Sequence, residues 1–354
     1  MRETSVIRVL VVDDSPSVRE LLAQVLSAAP GMEVVGCAAD GEQALEMAVR
    51  LRPHVITMDL QMPNMDGFEA TRRIMQACPV PIVVVSGADA GAEMDAGFRA
   101  IEAGALVLVD RPRGPGHPQH ALSAAALVRT VRSMAEVRVV RRWGAPGARR
   151  AGQSPAAPHR LVLLGASTGG PAVLREILAE LGPGFPLPVV IVQHMAPGFT
   201  AGLAEWLARA SAFPVAVADA GQPLAPGRAW LAPDGHHLAV TRALCAELSL
   251  AAPEHGMRPA VSHLFRTLPG ELRGRSLAAL LTGMGKDGAH ELKRLRDDGA
   301  VTIVQDRASA AVYGMPGEAV RLDAARLVLA PAQIGKALHA MANNPGTDLS
   351  VLGL

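Results

Sequence analysis

Short runs of Val, Leu and Ile alternate with stretches of helical period along almost the whole of this chain. Strands that are apolar throughout, rather than at every second residue, are buried on both faces. Their alternation with helices puts those helices on the two faces of a parallel sheet. Two sets of runs stand apart. The first lies at residues 7–12, 34–36, 55–58, 82–85 and 106–109. Between them, residues 16–28 and 41–51 carry apolar side chains three and four apart, as half-buried helices do. The second set lies at 161–164, 189–192, 215–218, 229–231, 277–281 and 301–304. The expected fold is α/β twice over: a doubly wound five-stranded parallel sheet, then a larger doubly wound α/β domain. A length of 354 residues suits two such domains.

Composition narrows the field. With 49% hydrophobic and 19% charged residues, the chain is not a disordered one. The charge balance, 34 basic against 33 acidic residues, gives no global field toward nucleic acid or membrane. Cys37, Cys78 and Cys245 form neither an even disulfide framework nor a paired metal motif, which fits a reducing compartment. The first apolar run is broken by Arg8 and stopped by Asp13 and Asp14, too early for a signal peptide. No stretch approaches the roughly 18 apolar residues of a membrane span. A cytoplasmic location without membrane insertion is expected. Between the two sets, residues 129–150 hold seven arginines and one glutamate, and residues 144–158 are rich in Gly, Pro and Ala. With only Trp143 as an interleaved aromatic, this basic segment reads as a solvated linker or docking segment, not a nucleic-acid site.

In open parallel sheets, chemistry gathers beyond the carboxyl ends of the strands. The first strand runs into Asp13 and Asp14, the third into Asp59, the fourth into Ser86 and the fifth into Arg111. A single Asp after a strand is more often a turn former. Three converging carboxylates, however, repel one another unless a cation lies between them. A hard divalent ion such as Mg²⁺ suits such a set.

The second set opens on an apolar run ending in Gly165-Ala166-Ser167-Thr168-Gly169, a G-x-S-x-G turn that would expose the Ser167 hydroxyl. A serine nucleophile needs a base and a group to orient the base. His194 follows the run at 189–193, and Asp287 follows the run at 277–281 within a glycine-rich turn. The order Ser, His, Asp differs from the Ser, Asp, His of the α/β-hydrolases. A phosphate-binding P-loop is excluded because no Lys follows the glycines. A dinucleotide turn of the short-chain dehydrogenase kind would need Tyr-x-x-x-Lys, but Gly317 stands four residues after Tyr313, the only tyrosine.

These residues carry a resemblance. The segment Ile7–Val12 continuing through Asp13, Asp14, Ser15 and Pro16, with the segment from Met58 to Gly67, resembles the flavodoxin-like receiver domain of two-component response regulators. The resemblance implies that Asp59 accepts a phosphoryl group from a histidine kinase. It implies that Asp13, Asp14, Asp59 and the Gln61 backbone carbonyl hold Mg²⁺, and that Ser86 and Arg111 contact the phosphoryl oxygens. Two positions depart from the receiver pattern: Arg111 stands where a Lys is usual, and Leu108 where an aromatic is usual. Weakened phosphorylation or readout is therefore expected, since a planar guanidinium differs in reach from a compact ammonium.

The segments around Ser167, Gln193-His194-Met195, Leu231-Ala232-Pro233, Arg258-Pro259, Leu281 to Ala289, Gln305-Asp306 and Tyr313 to Pro316 together resemble the catalytic domain of the chemotaxis protein-glutamate methylesterases, the CheB family. The resemblance implies a triad of Ser167, His194 and Asp287, with Thr168 and the Met284 backbone lining the site. It implies hydrolysis of glutamate methyl esters on methyl-accepting chemoreceptors, with methanol released, and deamidation of receptor glutamines, giving sensory adaptation. No cofactor is expected for the hydrolase step. After Arg258-Pro259 the family has Ser-Val-Asp where this chain has Ala260-Val261-Ser262, a change expected to touch substrate contacts and leave the triad intact.

The implied organisation is a receiver at 5–125, a helical extension and basic linker at 126–158, and a methylesterase domain at 159–350. The unphosphorylated receiver is expected to gate the serine site, with aspartyl phosphate shifting the population toward an open arrangement. Two other classes fit less well. A non-catalytic interaction protein on a dead esterase domain sits poorly with a complete triad. A DNA-binding regulator would need a helix-turn-helix after the receiver, and the strands from Leu161 onward leave no place for one.

Overall fold

The computed structural model describes residues 6–86, 104–105, 107–135, 159–344 and 347. The chain divides into two compact units, Met1–Arg141 and Arg142–Leu354. Of the helical extension and linker expected at 126–158, residues 136–158 lie outside the described residues.

In the first unit, β1 (Ile7–Val12), β2 (Met32–Ala38), β3 (Val55–Met58), β4 (Ile82–Ser86) and β5 (Val107–Asp110) form one parallel sheet in the order β2-β1-β3-β4-β5. The expected five-stranded sheet is present. Its strands are apolar on both faces because helices cover both. Helix α1 (Pro16–Ser27) starts on a proline, whose fixed φ suits a first turn and whose missing N–H costs nothing there. Helices α2 (Gly41–Leu51) and α3 (Gly67–Ala77) start on aspartate caps. Asp40 accepts from Gln43 N–H at 2.9 Å, and Asp66 from Glu69 N–H at 2.8 Å. Helix α4 (His120–Ala135) buries Leu127, Val131 and Met134 against Val9, Val11, Val83 and Val85.

In the second unit, β6 (Leu161–Ala166), β7 (Val189–Gln193), β8 (Val215–Val217), β9 (Ala229–Leu231), β12 (Ser276–Leu280), β13 (Val301–Gln305) and β14 (Leu327–Leu329) form a parallel sheet. Its order is β14-β13-β12-β6-β7-β9-β8. The six predicted strands are all in it. Three strands were not anticipated: β14, and the antiparallel pair β10 (His237–Val240) and β11 (Ala246–Ser249). Each is three or four residues long, too short to show a period.

The helices of this unit are α5 (Gly170–Leu181), α6 (Thr200–Ser211), α7 (Val261–Thr267), α8 (Gly270–Arg273), α9 (Ala289–Asp297), α10 (Met315–Arg321) and α11 (Pro331–Asn343). On one face, Leu161, Leu163, Val190, Val192 and Leu280 pack with Val261, Leu264 and Phe265 of α7 and with Leu292 and Leu295 of α9. With an aromatic share of 3%, this core is built chiefly from branched aliphatics.

Strand order decides where chemistry can sit. The chain leaves β6 for β7 on one side and later returns to β12 on the other. That reversal opens a crevice at the carboxyl edge, where ligands bind in doubly wound sheets. In the first unit the same reversal falls between β1 and β3.

Candidate active site and aspartyl acceptor site

Ser167 is the first residue after β6, in a turn held from both sides. Its N–H donates to the Thr282 carbonyl beyond β12 at 3.0 Å, and its own carbonyl accepts from Gly170 N–H at 2.8 Å. The turn is tight enough to require glycine. A Cβ on Gly170 would fall 1.9 Å from Gln193 Oε1, and one on Gly283 would fall 2.7 Å from Ser167 Cβ. The loop after β12 therefore lies directly against the serine.

His194 follows the neighbouring strand directly, its N–H donating to the Ala166 carbonyl at 2.9 Å. Its Nε2 lies 2.9 Å from Asp287 Oδ2, with the ring N–H not aimed straight along the contact. Ser167, His194 and Asp287 are buried, at 7%, 9% and 2% exposure, so the group that reacts here must be brought to the mouth of a recessed site. Asp287 is also gripped by the main chain at the start of α7: Oδ2 accepts from Val261 N–H at 2.7 Å and Oδ1 from Ser262 N–H at 2.9 Å. Burial works to raise its pKa, but the His194 contact and the Ser262 hydrogen bonds outweigh it and hold the carboxyl at about 2. The group is an anion at neutral pH.

All five residues proposed for the ester chemistry thus gather at the carboxyl edge of β12, β6 and β7. The Thr168 carbonyl accepts from Thr282 Oγ1 at 2.9 Å. Met284 follows Gly283 on the turn against Ser167, its side chain 47% exposed.

The supporting roles of several motif residues emerge only in the fold. Gln193 Nε2 donates to the carbonyls of both Ser167 and His194 at 2.8 Å each, tying the nucleophile's turn to the base's strand. Gln305 Oε1 accepts from Thr282 N–H at 2.8 Å. A glutamine closing a wholly apolar strand is a signal that could have been used, because a buried amide is costly unless it is bonded. Ser262 was expected to bear on substrate contacts. In the fold it contacts Asp287: its N–H donates to Asp287 Oδ1, while its Oγ donates to Glu291 Oε2 at 2.8 Å and accepts from Gly288 N–H at 2.9 Å.

In the first unit, carboxylate oxygens of Asp13, Asp14 and Asp59 lie within 4.8 Å of one another. Arg111 Nη2 stands 3.6 Å from Asp13 Oδ2 and 3.8 Å from Asp59 Oδ1. Burial, then the charge of Asp13, pushes the Asp59 carboxyl up to about 6 in spite of Arg111 and the Leu60 N–H. Burial likewise raises Asp13. Asp13 Oδ1 accepts from Ser15 N–H at 3.0 Å, whereas Oδ2 is buried without a hydrogen-bond donor among the described residues. A buried carboxylate oxygen that accepts no hydrogen bond, set among three carboxylates, has the donor chemistry of a hard-cation site, so these residues fit Mg²⁺. Gln61 is exposed beside Leu60, and Leu108 is buried in β5. Ser86 closes β4, and its side chain lies outside the described residues.

Comparison with known proteins matches each unit to a family. Residues 162–338 match the family model described as CheB methylesterase, and residues 9–122 that of the response regulator receiver domain. A protein-glutamate methylesterase/protein-glutamine glutaminase of Geobacter metallireducens is 52% identical over 95% of this chain and 99% of its own length. One from Syntrophus aciditrophicus is 45% identical over 96% and 99%. The solved catalytic domain of Thermotoga maritima CheB methylesterase aligns with a TM-score of 0.51 and 32% identity, over 52% of this chain and all of that one.

Proposed function

This chain belongs to the CheB methylesterase family with a response regulator receiver domain in front, and on that premise we propose that Ser167, His194 and Asp287 are its catalytic triad. The activity is that of a protein-glutamate methylesterase and protein-glutamine glutaminase, consistent with chemotactic adaptation. The observation that carries the residue assignment is the contact of Asp287 with His194 across β6, the strand that Ser167 follows.

In this reading Ser167 Oγ attacks the ester carbonyl of a methylated receptor glutamate. With Nε2 turned to Asp287, His194 takes the serine proton on Nδ1 and returns it to the departing methoxide as methanol leaves. Asp287 stabilises the imidazolium in between. Main-chain N–H groups at Thr168 and Met284 serve the oxyanion. Water then attacks the acyl-serine by the reverse proton path and frees the glutamate. An amide carbonyl can be attacked in the same way, which accommodates glutamine deamidation. The test is covalent: a fluorophosphonate should label the full-length protein once, on the peptide holding Ser167. Labelling elsewhere, or none under conditions where ester is turned over, would refute the assignment.

Asp59 is the proposed phosphoryl acceptor for a histidine kinase. Mg²⁺ held by Asp13, Asp14, Asp59 and the Gln61 carbonyl would neutralise the carboxylates while the donor phosphate approaches. Arg111 reaches both Asp13 and Asp59 with one nitrogen, so it supplies positive charge to the acceptor site, as the usual Lys would. It does so as a fork whose Nε is buried without an acceptor among the described residues. Arg111→Lys is expected to change the stimulation of methanol release by a phosphodonor by threefold or more. An unchanged stimulation would show that the departure is silent. No helix among the described residues is long and apolar enough to cross a membrane.

A further inference from the structure

The carboxylate of Asp287 hangs from the start of α7, and that start is anchored in turn. A helix leaves its first N–H groups without intrahelical partners. Three consecutive ones here are taken by side chains from other elements. Ala260 N–H donates to His237 Nδ1 at 3.2 Å, Val261 N–H to Asp287 Oδ2 at 2.7 Å and Ser262 N–H to Asp287 Oδ1 at 2.9 Å. We propose that His237 is a positioning residue of the esterase, a neutral imidazole whose acceptor nitrogen holds the 260–262 backbone where it grips Asp287. This role rests on Asp287 acting as the orienter of His194.

The surroundings fix the ring's proton. His237 is fully buried at the start of β10, and its Nε2 lies 3.1 Å from the Ala252 carbonyl, which can only accept. Nε2 therefore carries the hydrogen, and Nδ1 offers the lone pair that Ala260 N–H needs. The ring stacks on His263 with centroids 4.3 Å apart and planes 12° apart. His263 Nδ1 lies 2.9 Å from Glu254 Oε1, and Arg266 donates to both Glu254 oxygens at 2.6 Å. The charged and titratable groups acting on His237 are thus His263 from α7, with Glu254 (itself paired to Arg266) and Arg258 from the turn before it; β11 presents Ser249 at the paired position. Burial, helped by His263 and Arg258, keeps the His237 pKa below its ordinary value against the pull of the Ala252 carbonyl and Glu254. A proton on Nδ1 would set two donors face to face and release Ala260.

His237, Glu254 and His263 also bring possible ligand atoms within 4.8 Å of one another. A metal site is the poorer reading, because both His237 nitrogens are engaged and the Arg266 guanidinium already provides the cation for Glu254.

The test uses the full-length protein with a phosphodonor and a methylated chemoreceptor fragment, methanol release being the readout. His237→Ala removes the acceptor, whereas His237→Asn keeps an oxygen near the position of Nδ1. His237→Ala is expected to lower kcat 10- to 100-fold with KM within twofold of wild type, and His237→Asn to stay within threefold on both. In His237→Asn the acid limb of log kcat against pH should also become shallower by one proton, which a merely structural role would not produce. A folded His237→Ala with wild-type kcat, or with its loss confined to KM, overturns the proposal. If His237→Ala fails to fold, the acid limb of His237→Asn decides: unchanged steepness overturns the role, and a shallower limb supports it. Ser167→Ala, run alongside, separates this from failure of the serine reading, since turnover by that variant would refute the triad whatever His237 does.

Discussion

Ser167→Ala is expected to bring methanol release from a methylated chemoreceptor fragment down to the assay blank, a loss on the order of 10⁵–10⁶-fold. Alanine removes the only atom that can form the acyl-enzyme and leaves its surroundings in place. The turn is held by its backbone and its neighbours: Ser167 N–H to the Thr282 carbonyl, Gly170 N–H to the Ser167 carbonyl, and Gln193 Nε2 to that same carbonyl. None of these uses the hydroxyl, so folding and phosphorylation of Asp59 should persist. Asp287→Asn belongs to the same experiment and should cost about 10⁴-fold, because an amide fixes the wrong tautomer and stabilises no imidazolium. Its NH₂ would also face a main-chain N–H of Val261 or Ser262, where the carboxylate now accepts two hydrogen bonds. Either variant turning over ester at more than a hundredth of the wild-type rate would leave the relay without support.

Asp59→Asn should abolish the response to a phosphodonor, so that methanol release with and without donor becomes equal. The same change should make the metal-free receiver more stable. A carboxyl whose pKa is raised from 3.8 to about 6 binds its proton more tightly folded than unfolded. Its ionised form therefore opposes folding, and stability falls as pH rises between those values. At pH 7.5, without metal, replacing it by an uncharged isostere is expected to add about 2–3 kcal/mol. The gain should shrink as pH drops below 6, where the wild-type group is itself protonated. Thermal unfolding of wild type and variant at pH 7.5 and pH 5 measures this directly, and a larger difference at pH 5 would contradict it. Acceptor chemistry and receiver stability are thus opposed at one residue, and a divalent cation is what relieves the opposition.

Much of this was readable from residues alone, for reasons that differ by position. Strands apolar on both faces announce themselves, which is why β1, β3 and β9 appear at the very residues expected. Asp13 and Asp59 stand immediately after such strands in the first sheet, as Ser167 and His194 do in the second with Asp287 in the turn after β12, so topology alone brings each set to the carboxyl edge of its own sheet. What stayed hidden depends on partners remote in sequence. Ser262 stands where the family has Asp, a change read only as touching substrate contacts; in the fold its main chain bonds Asp287 and its hydroxyl bonds Gly288 and Glu291. His237 gave no signal, because a histidine in a short strand is ordinary until Ala260, 23 residues later, is seen to donate to it. Gln193 was quoted within a motif without a task, since its two acceptors belong to Ser167, 26 residues back, and to its own neighbour.

The seven-stranded sheet places β6 in its middle, with β8 and β14 as the outermost strands, each three residues long. Short border strands are where hydrogen exchange is fastest and opening costs least. Here such fraying can come and go at either margin while the three strands that carry serine, imidazole and carboxylate remain zipped to one another. Thermal breathing of this unit is spent at its perimeter, and the distances on which bond-making depends are insulated from it.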